Sequence, residues 1–125
     1  MQKLTRKIFV SYSRRDLNKV KPLVRLLKAS DVDVFIDVED IQYGERWEAV
    51  IEEKVKQAER FLIFWSKSAA KSEYVRREYL AALEVPQMIV IPVSLDGTPL
   101  PSELAQFQAL TELQPLLAKA KGTVT

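Results

Sequence analysis

Residues 60–78 read Arg60-Phe61-Leu62-Ile63-Phe64-Trp65-Ser66-Lys67-Ser68-Ala69-Ala70-Lys71-Ser72-Glu73-Tyr74-Val75-Arg76-Arg77-Glu78. The opening run, Arg60–Trp65, is apolar almost without a break, as expected of a parallel-sheet strand buried on both faces. Ser66–Lys71 reads as a loop, and Ser72–Glu84 as a helix that must stop before Pro86. One residue interrupts the apolar side of that helix. On a wheel of about 100° per residue centred on Glu78, the residues Tyr74, Val75, Ala81, Ala82 and Val85 fall within roughly 60° of it. Glu73, Arg76 and Arg77 fall on the far side. A glutamate centred on a mostly apolar face is either paired in the core or lining a pocket.

Outward from this stretch, strands and amphipathic helices alternate. Lys7–Ser11 is a short β-rich run. Asp16–Ala29 carries Leu17, Val20, Leu23, Val24 and Leu27 at helical spacing, with Asp16 placed as an N-cap and Pro22 as the point of a late start or a kink. Val32–Asp37 is a second strand, Val38–Arg46 a polar, acidic loop containing Gly44, and Trp47–Glu59 a second helix. Gln87–Ser94 is a fourth strand, followed by a turn at Asp96–Pro99. Pro101–Leu113 holds a short helix and a weak edge strand. Such alternation predicts an α/β fold: a flavodoxin-like, doubly wound, five-stranded parallel sheet in the order 2-1-3-4-5 with helices on both faces. Ligands of such sheets bind beyond the carboxyl ends of the strands, where the order reverses between strands 1 and 3. The loops there are Tyr12-Ser13-Arg14-Arg15 and Ser66–Lys71, with the acidic loop beside them.

At 125 residues the chain reads as one domain, with a core over about 7–115 and residues 119–125 as a tail or the start of a linker. A net charge of +2 does not suggest nucleic-acid binding. Neither cysteine nor histidine occurs, which removes thiolate nucleophiles, the Ser-His-Asp triad and most zinc sites. Met1–Lys7 lacks the apolar core of a secretory leader, and no apolar run approaches the ~20 residues of a membrane span. A cytoplasmic location fits. The three glycines, Gly44, Gly97 and Gly122, form no phosphate loop, so a phosphate must be held by a helix N-terminus or by arginine. A phospho-acceptor receiver domain needs acidic residues at the ends of strands 1 and 3, where this chain has Ser11-Tyr12-Ser13 and Trp65-Ser66. A flavin carrier needs a Ser/Thr/Gly-rich loop after strand 1, which Tyr12-Ser13-Arg14-Arg15-Asp16 does not supply.

Three segments, in order and at matching separations, resemble the TIR (Toll/interleukin-1 receptor) domain family: Ile8-Phe9-Val10-Ser11-Tyr12-Ser13, Val34–Glu45, and Phe61–Ser66 followed by Ser72–Glu78. The Ser-Tyr-Ser-Arg box is more similar to bacterial members than to animal receptors. The family contains enzymes that cleave the nicotinamide–ribose bond of NAD+, giving nicotinamide and ADP-ribose or a cyclic ADP-ribose isomer. It also contains non-catalytic signalling adaptors that dock onto other TIR domains. The resemblance places the catalytic glutamate at Glu78 and puts Tyr74 where the family usually has Trp. It implies substrate contacts from Ser11, Tyr12, Arg14, Arg15, Trp47 and Tyr74, with the arginines on the pyrophosphate and Trp47 stacking on a ring. The BB loop, Asp40, Ile41, Gln42, Tyr43, Gly44 and Glu45, is implied to mediate self-association, extending to filaments. NAD+ is then substrate, with no cofactor and no metal, and a sensor domain, fused or bound, serves as trigger in antiphage defence.

The chemistry suits this composition. Nicotinamide leaves as a neutral group, so the reaction needs little acid catalysis, and one carboxylate can stabilise the oxocarbenium-like ribose. Apolar neighbours push the pKa of Glu78 up, and an arginine at position 14 or 15 opposes that shift.

Overall fold

The structure, a computed structural model, describes residues 6–29, 32–36, 53–107 and 109–111. Four strands, β1 (Arg6–Ser11), β2 (Val32–Ile36), β3 (Arg60–Trp65) and β4 (Ile89–Ser94), form a parallel sheet in the order β2-β1-β3-β4. This is the expected order over those four strands. The register pairs Val10 with Ile36 on one side and with Leu62 on the other, and it pairs Trp65 with Ser94. At the position of a fifth strand, Leu110 makes an isolated parallel bridge to Val93. The Leu110 N–H donates to the Pro92 carbonyl at 2.9 Å, and the Leu110 carbonyl accepts from the Ser94 N–H at 2.9 Å. Pro92 fits within β4 because its missing N–H lies on this outer side, where no ladder to β3 is lost.

Side chains alternate across the pleat, and two cores result. On one face Ile8, Val10, Leu62, Phe64, Ile91 and Val93 pack against Val20, Val24 and Leu27 of helix α1 (Leu17–Ala29). On the other, Phe9, Phe61, Ile63, Trp65 and Val90 meet Val75, Tyr79 and Ala82 of a later helix, with Val55 from a helical turn over 53–57. Phe9 and Phe61 stack with ring centroids 5.5 Å apart, and Tyr79 meets Trp65 edge-on at 6.2 Å. Every residue of β3 is buried, as its unbroken apolar run predicts.

Between β3 and β4 lie two helices, α2 (Lys67–Ala70) and α3 (Glu73–Leu83). Helix α3 keeps the predicted limits: the Ser72 hydroxyl caps it by accepting from the Val75 N–H, and Glu84 closes it. Its outward charges include a Glu73–Arg77 contact of 3.6 Å at i,i+4 spacing.

Three readings of the sequence change. Ser66–Lys71 is not an open loop, because Ser66 caps the short helix α2 by accepting from the Ala69 N–H at 3.0 Å. Asp16 is not the cap of α1. Ser13 caps a 3-10 turn at Arg14–Asp16 that runs directly into the helix, and Asp16, its last residue, turns inward. Pro22 neither delays nor ends α1, which continues to Ala29 with Pro22 on its exposed side. The acidic loop, Trp47 and the BB-loop residues 40–45 lie outside the described residues.

The two-sided core makes β3 the costliest strand to perturb. Phe61→Ala is expected to destabilise the chain by about 3–5 kcal/mol. Leu26→Ala, at a position 42% exposed, should cost less than about 0.5 kcal/mol. Equilibrium urea unfolding of the two variants measures the contrast.

Candidate functional site

The reversal of winding separates the loops after β1 and β3 at the carboxyl edge of the sheet. Helix α1 packs on one face, α3 packs on the other, and a cleft of about 690 Å³ opens between the two loops. Its walls carry four cations: Arg14 and Arg15 from the 3-10 turn after β1, and Lys67 and Lys71 from the two ends of α2. Ser13, Ser68 and Ser72 add hydroxyls, and Tyr12 and Tyr74 add aromatic surface. Among the described residues, no carboxylate lines the cleft. A concavity with this charge suits a phosphorylated ligand.

Pleat geometry decides what lies beneath. Ser11 shares the odd-numbered face of β1 with Phe9, which is the face covered by α3. There its hydroxyl donates to Glu78 Oε1 at 2.8 Å. Both residues are 0% exposed. The helical wheel therefore located Glu78 correctly, at the centre of a buried stripe with Val75 and Ala82. Burial of a carboxylate is costly unless hydrogen bonds meet it, and Ser11 supplies one from the adjacent strand.

The structure thus gathers Tyr12, Arg14, Arg15 and Tyr74 on the cleft wall, with Ser11 and Glu78 enclosed in the core rather than on the lining. Trp47 and residues 40–45 lie outside the described residues. Lys67, Ser68, Lys71 and Ser72 were not singled out as site residues from the sequence, although they lie in the loop named there as part of the ligand-binding edge. The missing signal was the Ser66 cap, which folds residues 67–70 into a turn that brings lysines 67 and 71 to one wall.

A turn after β4 braces this wall. Asp96 Oδ2 accepts from the Lys67 N–H at 2.9 Å, and Oδ1 accepts from the Thr98 hydroxyl at 2.6 Å and the Thr98 N–H at 3.0 Å. Gly97, with φ at +81°, allows the chain to turn between them. These donors, the Thr98 hydroxyl first, hold the Asp96 pKa down from 3.8 to about 2.

Two outcomes follow. Folding lowers the affinity of Asp96 for its proton, so its contribution is complete above the unfolded pKa of about 3.9. It is lost as pH falls toward and through about 2. A carboxyl-carbon NMR titration should give Asp96 a midpoint near 2, and Thr98→Val should move it up toward about 3.9. Ser11→Ala removes the donor to a buried carboxylate and should cost about 2 kcal/mol in thermal or urea unfolding, whereas Glu78→Gln, which still accepts from Ser11, should cost less.

The TIR domain family model matches residues 8–117. No curated protein matches the sequence significantly. Among solved structures, the fold is similar to the TIR domain of the Toll-related receptor TRR-2 of Hydra magnipapillata, with TM-score 0.77 and 16% identity over 92% of this chain and 94% of that one. A 2-deoxyribosyltransferase from Bacillus psychrosaccharolyticus matches with TM-score 0.72 and 14% identity over 89% and 90% of the two chains. The TIR domains of the activated Roq1 resistosome, which directly recognises the pathogen effector XopQ, match with TM-score 0.64 and 20% identity over 94% and 71%. At these identities the structural likeness establishes the fold, whereas the family match spans nearly the whole sequence. The chain belongs to the TIR domain family.

Proposed function

We propose that this domain cleaves the nicotinamide–ribose bond of NAD+, with Glu78 as the catalytic carboxylate. One observation carries the reading: a fully enclosed glutamate, held by Ser11, at the sheet edge where a cleft lined by four cations opens. In this mechanism Arg14, Arg15, Lys67 and Lys71 hold the pyrophosphate, and Tyr12 and Tyr74 flank the sugar and the ring. The C1′–N bond breaks and its electron pair leaves with neutral nicotinamide. The positive charge that develops on the ribose is met by the Glu78 carboxylate, which Ser11 keeps in one orientation. Addition of water at C1′, with loss of a proton, gives ADP-ribose. Attack by a nucleophile of the ADP-ribosyl group itself gives a cyclic isomer. The same fold serves a 2-deoxyribosyltransferase, which at 14% identity lends the fold and no residue.

Glu78 is 0% exposed, so substrate reaches it only when its cover shifts. In this reading self-association through residues 40–45 supplies that shift and completes the site. The domain is then an effector of bacterial antiphage defence, acting in the cytoplasm under the control of a sensor domain. The enclosure of Glu78 also favours a second reading, in which the Ser11–Glu78 bond only fastens α3 to β1 and the domain is a non-catalytic TIR–TIR interaction module.

Incubation with NAD+ at rising protein concentration, with chromatographic separation of products, distinguishes them. The enzyme reading expects nicotinamide release that rises more steeply than protein concentration. It also expects a loss of about 10²–10³-fold in Glu78→Gln with folding intact. Full activity in Glu78→Gln overturns the catalytic assignment. Silence of the wild type at every concentration, including on a crowding surface, favours the interaction module.

A further inference from the structure

Like charges repel, and the cleft gathers four cations on two short turns. One is the 3-10 turn Arg14–Asp16 and the other is α2 with its C-cap Lys71. Ser66 and Asp16 are 50 residues apart in sequence, and a buried hydrogen bond between them joins the two turns. The Ser66 hydroxyl donates to Asp16 Oδ2, and its oxygen accepts from the Ala69 N–H at 3.0 Å. With its single proton committed to Asp16 and a lone pair committed to the helix, the Ser66 rotor is locked. Asp16 is fixed in turn, because its own N–H donates to the Ser13 carbonyl at 2.8 Å. It is 6% exposed and Ser66 is 2% exposed, and neither is on the cleft lining. The Asp16 carboxylate thus faces the joint between the two walls rather than the lining of the cleft.

We propose that Asp16 is a positioning residue. By accepting the Ser66 hydrogen bond it sets the spacing between the Arg14–Arg15 wall and the Lys67–Lys71 wall, and so fixes the site for a diphosphate. The proposal rests on reading the cleft as a dinucleotide site. A ligand clasped from two sides loses affinity when either wall drifts, and a displacement of about 1 Å is enough to matter. A buried residue chosen only for packing at this joint has no need of an acceptor aimed at the opposite cap.

The test uses the full chain, with ADP-ribose as the calorimetric probe and nicotinamide release as the kinetic readout. Asp16→Ala should weaken ADP-ribose binding about tenfold and raise KM for NAD+ to match, with kcat changed by less than about threefold. Asp16→Asn retains an acceptor for Ser66 and should restore both to within about twofold. The double variant Asp16→Ala/Ser66→Ala should bind no more weakly than Ser66→Ala alone, since Ser66→Ala already removes this contact along with the α2 cap. It also carries the test if the single variant does not fold, because it leaves neither partner of the bond behind. Wild-type affinity in Asp16→Ala with a lowered Tm, or an Asp16→Asn as weak as Asp16→Ala, overturns the positioning role. If ADP-ribose binding follows the expected pattern while the wild type releases no nicotinamide, the positioning role stands and NAD+ cleavage falls. If NAD+ is cleaved and Asp16→Ala binds normally, the reverse holds.

Discussion

The hydrogen bond from Ser11 to Glu78 joins an inner strand to the helix that covers it, and it meets a costly demand of the core, a buried carboxylate. A carboxylate on the inner face of α3 must be met by a donor from the sheet, because the neighbours on its own helix, Val75 and Ala82, offer none. The end of β1 provides one. Ser11 is the last residue of that strand and lies on the α3 face by the parity of the pleat. The register of β1 against β3, which pairs Ser11 with Ile63, is therefore tied to the position of α3 along the sheet. A one-residue slip would turn Ser11 to the α1 side and leave Glu78 facing Val10 or Tyr12 instead.

This arrangement separates two tasks that a surface carboxylate could not combine. Among the described residues the cations line the cleft, while the glutamate that bears on the proposed chemistry lies under cover. Asp16, the other enclosed carboxylate there, is committed to Ser66. Among the described residues, the charged groups on the cleft wall are thus all positive, although the sequence is close to charge balance overall.

Periodicity made much of this legible in the sequence. The unbroken run of β3, the Ser72 cap and the wheel around Glu78 led to the sheet, the helix and the buried glutamate, because each is written in consecutive residues. Alternation of elements fixed the order of four strands and so the edge where the cleft opens. What the sequence hid depends on contacts across the fold. The partner of Glu78 is 67 residues away and that of Asp16 is 50 away, and no local pattern pairs them. Asp16 looked like a helix cap because aspartate ordinarily serves as one, and Ser13, three residues earlier, took that place. Lysines 67 and 71 were hidden for a different reason: a helix of four residues is too short to leave a periodic trace.

Pro92 has an effect outside the site. The outer side of β4 presents its carbonyl and the Ser94 N–H to Leu110, but where a continuous ladder would need a donor at residue 92 there is a proline ring. A flat edge strand is an open template on which a second chain can extend the sheet, and the usual outcome is uncontrolled stacking. Among the described residues this edge is occupied at one rung and lacks a donor at the next. A second chain adding to this edge would meet that missing donor, a built-in obstacle to extending the sheet from one copy to the next.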